Sequence, residues 1–210
     1  MIEYVIPENI DTRILKRAAA VLDNGGLVAH PTDTSWHISC SAFSAKGIEK
    51  LKKLKNGAKG YLFTLMINEI AQASGFALIN TPQYKIIHRL APGPYVFVLE
   101  SAGKLKKMTG MKRKEVGIRI PSDNISRSLI DTLGKPLFST TAAKEMGNNQ
   151  WWDPEFAEEH LFEMGWEVES IQEIDLIIDG GEPLNKNLTT VLDLSGEEVT
   201  VIREGLGKYN

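Results

Sequence analysis

The sequence predicts a single α/β domain in which one twisted, mixed, open sheet carries flanking helices. Three observations predict it. Apolar or β-branched runs alternate early with amphipathic helical stretches, the chain closes in a strand pair around Ser195-Gly196, and no linker, repeat or low-complexity run divides the 210 residues. Alternation calls for crossover connections and the closing pair for a hairpin, so the sheet is mixed. A chain of this size buries roughly 70% of the surface its unfolded form exposes, enough for a core without covalent staples.

The elements follow in order. Ile14 to Asn24 reads as a helix stopped by Gly25-Gly26. Leu27 to His30 is a short buried strand ended by Pro31. Ala45 to Lys55 is an amphipathic helix with Ile48, Leu51 and Leu54 on one face and lysines around the rest. Leu62 to Ile67 is strand-like, Gln83 to Leu90 helical, and Tyr95 to Leu99 a strand introduced by Ala91-Pro92-Gly93-Pro94. Val116 to Ile120 is a strand, Pro121 and Ser122 open a helix to Leu133, and Leu137 to Thr140 returns as a strand. Asp153 to Glu163 reads as helical, and Ile174 to Ile178 as a strand before Asp179-Gly180-Gly181. Thr189 to Leu194 and Val199 to Arg203 form the closing hairpin.

Bulk properties narrow the function. One cysteine, Cys40, excludes an internal disulfide framework and suits a reducing cytosol. MIEYVIPENIDTR is not a signal peptide, and no apolar run nears the roughly 18 residues of a membrane span. A cytoplasmic protein without a membrane partner is the expectation. The net charge of −3 hides segregation: Lys46 to Lys59 holds six lysines and one acid, Lys104 to Arg119 seven basic residues and one acid, and Glu145 to Glu182 twelve acids and no Lys or Arg. One face suits anions and another stays clear of them, or the charges are solvated helix faces.

The densest chemistry is GGLVAHPTDTSWHISC, Gly25 to Cys40. There is no P-loop, dinucleotide fingerprint, H-E-x-x-H or G-x-S-x-G elbow in the chain. His30, Asp33, His37 and Cys40 make an incomplete zinc set, so no protein-bound metal is expected. Cys40 could serve as a nucleophile with His37 as its base, or as a small buried hydrophobe. The remaining signal is repetition at strand ends: Thr32 and Thr34, Arg119, Ser139 to Thr141, Thr189 and Thr190, and Arg203. Ligands of open α/β sheets bind beyond the carboxyl ends of strands, where such hydroxyls and guanidinium forks suit a small anion.

GGLVAHPTDTSWHISC, LKKLKNGAKGYLFTLM, APGPYVFVLE, VGIRIPSDNISRSLIDTLGKPLFSTTAA and IDLIIDGG…LTTVLDLSGEEVTVIREGLG together resemble the YrdC/YciO family, in order from Gly25 to Gly207 and closer to the YciO branch. The resemblance implies one YrdC-like domain over residues 1–210 (core about 12–207) with a concave basic face. It implies threonylcarbamoyl-AMP synthase chemistry, in which L-threonine, bicarbonate and ATP with Mg²⁺ give the adenylate and pyrophosphate for tRNA modification. Lys55 and Arg119 would be catalytic. Thr32 would hold threonine, and Trp36 stands at the family's aromatic position. Ser139, Thr140 and Thr141 would contact nucleotide and threonine, with Thr190 and Arg203 completing the subsites. Four positions depart from the synthase pattern. Gly57 replaces an arginine, with Lys59 nearby to compensate; Ala143 replaces an asparagine; Trp36 and His37 replace a tyrosine and a small residue. The departures open a second expectation, a non-catalytic double-stranded RNA or tRNA-binding module on the same fold. The tryptophans of the acidic stretch, Trp151, Trp152 and Trp166, either pack on the sheet or mark a partner surface.

Overall fold

The computed structural model describes residues 1–55, 64–103, 105, 114–146 and 158–209. The strands are β1 (Ile2–Tyr4), β2 (Val28–Pro31), β3 (Trp36–Ser41), β4 (Thr64–Met66), β5 (Tyr95–Glu100), β6 (Glu115–Arg119), β7 (Leu137–Thr141), β8 (Leu176–Asp179), β9 (Thr190–Asp193) and β10 (Thr200–Arg203). The helices are α1 (Thr12–Asp23), α2 (Ala45–Leu54), α3 (Thr81–Leu90), α4 (Asn124–Leu133) and the single turn α5 (Gly165–Val168). Among the described residues the strands form one mixed open sheet, ordered β1-β8-β2-β3-β7-β4-β6-β5-β9-β10. The pairs β1/β8, β8/β2, β4/β6 and β5/β9 are parallel and the rest antiparallel.

Period-two alternation sends the two sides of each strand into two cores. Ala29, Ile38, Leu65, Phe97, Ile118, Phe138 and Ile177 pack against α2 and against Phe76 and Ile87. Val28, Met66, Leu137, Leu176 and Ile178 pack under α1 and α4. The register then places His30 opposite His37, Ser39 opposite both Val28 and Ser139, Thr64 opposite Ser139 and Gly117, and Arg119 opposite Met66. These polar residues share the face that carries α1 and α4. That face is oily under the helices and polar beyond the N-terminus of α4.

Local signals explain the element ends. Ser44 accepts from Gly47 N at 3.1 Å to start α2. Asn80 and Gln83 form a reciprocal capping box, so α3 begins two residues ahead of the expected Gln83. Gly134 closes α4 in the left-handed conformation, φ +67°. The expected start of α4 at Pro121-Ser122 moves to Asn124, because Ser122 is bonded to Asp33 and Asp123 accepts from Ser126 N at 2.7 Å. Between Asp153 and Glu163 the described part is a 3₁₀ turn, Glu158–His160, followed by an isolated bridge from Leu161 to Ala143, not an α-helix. Residues 153–157, with Trp151 and Trp152, lie outside the described residues, as do 62–63 of the expected strand before Ile67.

The strand β3 is the main element absent from the expectation. W-H-I-S-C-S alternates apolar and polar residues without a break, and it sits at the centre of the sheet. Trp36 is buried there and donates its indole N–H to Glu163 O at 3.3 Å. Gly165 seals this contact: a Cβ at that position would lie 2.2 Å from Asp179 Oδ2 and 3.0 Å from the Trp36 ring. Gly165→Ala therefore lowers stability by about 1–3 kcal/mol through overpacking, read as a lower urea midpoint at unchanged slope.

Candidate functional site

Arg119 ends β6 with no solvent exposure, so its charge needs partners inside the protein. The P-T-D-T turn after β2 supplies them. Arg119 NH2 bonds Asp33, Thr34 Oγ1 at 2.9 Å and Thr32 Oγ1 at 3.2 Å, while NH1 donates to His37 Nε2 at 2.9 Å. The second oxygen of Asp33 accepts from Ser122 N at 3.2 Å and Ser122 Oγ at 2.7 Å. Burial opposes ionisation of Asp33, but the charge of Arg119 and the bonds from Ser122 and Arg119 together hold its carboxyl below the usual range. Thr32 Oγ1 donates to Ser35 O at 2.7 Å and accepts from Thr34 N and Ser35 N, so its hydroxyl is committed within the turn.

His37 lies against Arg119 and in the positive field of further cations. Burial, and then the charges of Arg119, His30, Lys55 and Arg203, hold it well below the ordinary histidine range, so it stays neutral. Its Nδ1 lies 3.4 Å from Ser139 Oγ, which donates a long 3.5 Å bond to Thr64 O. His30 opposite it is pushed down to about 4 by burial and by Arg119, against a raising bond to Pro31; its ring bridges Ser39 Oγ at 2.8 Å and Ser126 Oγ at 3.1 Å. Lys55, 1% exposed beyond the last turn of α2, is pushed down by burial to about 7. Asp123, at the start of α4, is pushed up to about 6 by burial and by Asp33.

The expected site residues divide by geometry. Arg119 bonds His37 directly, and the charges of Lys55 and Arg203, from two other elements, add to the field that keeps the ring neutral. Ser139 and Thr141 share the face of His37, whereas Thr140 pairs with Ile38 and points to the other side of β7. Trp36 is part of that opposite core. Arg203 holds Thr189 O at 2.9 Å and Thr189 Oγ1 at 2.9 Å. Thr190 Oγ1 donates to Gly207 O and accepts from Gly205 N at 2.9 Å, strapping down the C-terminal segment. Lys59, like Asn56 and Gly57, lies outside the described residues, as do Lys104 and 106–113 of the second basic run.

Sequence reasoning weighed His30, Asp33 and His37 only as metal ligands or a base for Cys40, and it passed over Ser122, the His30–Ser39 pair and the bonds of Asp33 and His37 to Arg119. A signal for Asp33 existed: a strand-end arginine facing an oily sheet needs a nearby acid. The metal and nucleophile readings of β3 lose their geometry here, because His37 and Cys40 occupy opposite faces of the strand and burial pushes the Cys40 thiol up. Among the described residues no group of three or more His, Cys, Asp or Glu could hold a metal, and no helix is long and apolar enough to cross a membrane. The exposed Lys46 and Lys53 sit on α2, which packs on the face away from Arg119, and Lys50 pairs with Asp175.

An open mixed sheet with buried cations and hydroxyls gathered at its strand ends defines an α/β protein of the mixed-sheet class. The family profile described as telomere recombination (Sua5, YciO and YrdC) matches residues 20–205, and the chain belongs to that family. It is 28% identical over 205 residues to the uncharacterized protein YciO of Escherichia coli, covering 97% of this chain and 95% of that one. The crystal structure of E. coli YciO superposes with a TM-score of 0.83 at 26% identity, over 99% of this chain and 97% of the other. The threonylcarbamoyl-AMP synthase of Mus musculus is 30% identical over 142 residues, 67% of this chain and 50% of that protein. P. abyssi Sua5 complexed with L-threonine shares the fold, with a TM-score of 0.80 at 22% identity, over 98% of this chain and 57% of the other.

Lys55 makes a stability prediction. Its amine is protonated below about 7 in the folded protein and below the ordinary 10.5 in the unfolded chain. The unfolded state therefore holds the extra proton between those values, and stability rises with pH across that window. Lys55→Met removes the term. The variant is more stable than the parent at and below pH 7, and the difference shrinks to nothing as pH approaches 10.5, measured by urea titrations across the range.

Proposed function

We propose that this protein forms an adenylate of the threonylcarbamoyl type. The observation that carries the reading is the fully buried guanidinium of Arg119, held at its strand end by Thr32, Thr34 and His37, with His37 in turn facing Ser139. Membership of a family that contains threonylcarbamoyl-AMP synthases supports it.

In that reaction the amine of L-threonine condenses with bicarbonate, losing water, to a carbamate. A carbamate oxygen then attacks the α-phosphorus of ATP. The bond from that phosphorus to the oxygen bridging to the β-phosphate breaks, and pyrophosphate leaves with Mg²⁺. The carbamate and ATP are both anionic at the reacting atoms, so the protein's task is to hold them together and meet growing charge with fixed cations. Arg119 is fixed before any ligand arrives, since the turn 32–35 and His37 hold its two terminal nitrogens. Lys55 sits near half-protonation at neutral pH and becomes fully cationic as a polyphosphate approaches, because a neighbouring anion favours the charged form. The low solvent content around these buried groups strengthens each interaction.

The test is incubation with L-threonine, bicarbonate, Mg-ATP and pyrophosphatase, with mass spectrometry for the adenylate. Wild type forms it. Lys55→Met, although the more stable protein at pH 7, loses about 100-fold or more in rate, the usual scale for removing one charge-stabilising group. No adenylate from wild type beside an active control, or full activity in Lys55→Met, overturns the reading.

A further inference from the structure

We propose that His37 is a positioning residue that fixes the Ser139 hydroxyl as a hydrogen-bond donor toward an anionic oxygen of the ligand. The ligand half of this inference rests on the nucleotide reading above; the half concerning the ring does not.

The argument follows a chain of four side chains across the sheet, Asp33, Arg119, His37 and Ser139. A guanidinium donates and never accepts, so the 2.9 Å bond from Arg119 NH1 requires a lone pair on His37 Nε2. The single proton of the neutral ring must then sit on Nδ1, where it faces Ser139 Oγ. Ser139 thus accepts from His37, and its own proton is directed elsewhere. Thr64 O receives it at 3.5 Å, the longest bond in the chain and the one most readily exchanged for a ligand oxygen. Asp33 completes the device, since it fixes the orientation of the guanidinium from the other end and is itself held by Ser122.

Burial argues that the polarity is fixed and not merely preferred. His37 is buried with Arg119 on its Nε2 side, and a second proton on the ring would point a donor at a donor. A small residue at position 37 would leave Ser139 free to rotate and Arg119 NH1 without its acceptor. A glutamine would restore the acceptor toward Arg119, because its side-chain oxygen reaches the place of Nε2.

The first test is ¹⁵N NMR of the histidine rings in the free protein, with His37 assigned by its loss in His37→Gln. A neutral ring protonated on Nδ1 and unchanged between about pH 5 and 8 is the expected result. An Nε2-protonated ring or an imidazolium overturns the inference, whatever the protein binds.

The second test measures affinity for Mg-ATP and for pyrophosphate by calorimetry. Ser139→Ala and His37→Phe each weaken binding about tenfold, the scale of one hydrogen bond to a charged group. The double variant is no weaker than Ser139→Ala alone, because His37 acts through Ser139, and His37→Gln, which restores the acceptor for Arg119 but puts no donor at the place of Nδ1, weakens binding as His37→Phe does. Additive losses in the double variant, or a His37→Gln that binds as tightly as wild type, overturn the positioning role. Failure of wild type to bind either probe overturns the ligand half and the nucleotide reading together, while the ring measurement stands on its own.

Discussion

A fully buried guanidinium at the end of β6 is the constraint around which this end of the molecule is arranged. Arg119 cannot shed its proton, and burying it without partners would cost far more than the stability of a domain allows. The chain therefore brings the 32–35 turn, the Ser122 corner before α4 and the imidazole of His37 to it. The turn and the corner belong to different connections of the sheet, so one charge ties the β2–β3 turn to the β6–α4 loop. Removing one partner of a buried pair of this kind costs about 3–5 kcal/mol, mainly because the other is left unpaired. The same bonds that hold its two terminal nitrogens leave Arg119 in place as a fixed source of positive potential.

Burial, with that potential added for the two histidines, explains the unusual states of its neighbours. His37 is denied a second proton, and the pair His30 and His37, opposite each other in the ladder, are both kept neutral. Lys55 cannot cheaply carry its own charge in the same buried region. The arrangement spends folding stability on a cation cluster with one carboxylate, Asp33, bound directly to it, which is the expected trade at a site made for anions.

The outline of this arrangement is legible in the sequence because it depends on local signals. Gly25-Gly26, Pro31, Asn80 to Gln83 and Gly134 punctuate elements by backbone chemistry that acts over a few residues. The strand-end residues Thr32, Arg119, Ser139 and Arg203 stand out because hydroxyls and guanidinium groups are unusual next to apolar runs. What the sequence conceals is pairing. His37 and Cys40 look like neighbours in one motif, yet β3 sends them to opposite faces. W-H-I-S-C-S carries a period-two pattern that its reactive residue types obscure. Asp33 looks like a turn residue until the register of β6 brings Arg119 to it from 86 positions away. The length of α4 likewise depends on a contact between distant segments, Asp33 with Ser122, that no local pattern contains.

The account stands on the claim that this buried cation cluster is poised to receive an anion, and Lys55 reports on it directly. The decisive measurement is an NMR titration of the Lys55 side chain in ¹³C-labelled protein, assigned through Lys55→Met, with and without Mg-ATP. The account predicts an amine that titrates near 7 in the free protein and shifts upward, toward the ordinary lysine value, when the nucleotide binds. An amine that titrates like an exposed lysine in the free protein, or one that does not move when the nucleotide binds, would contradict it.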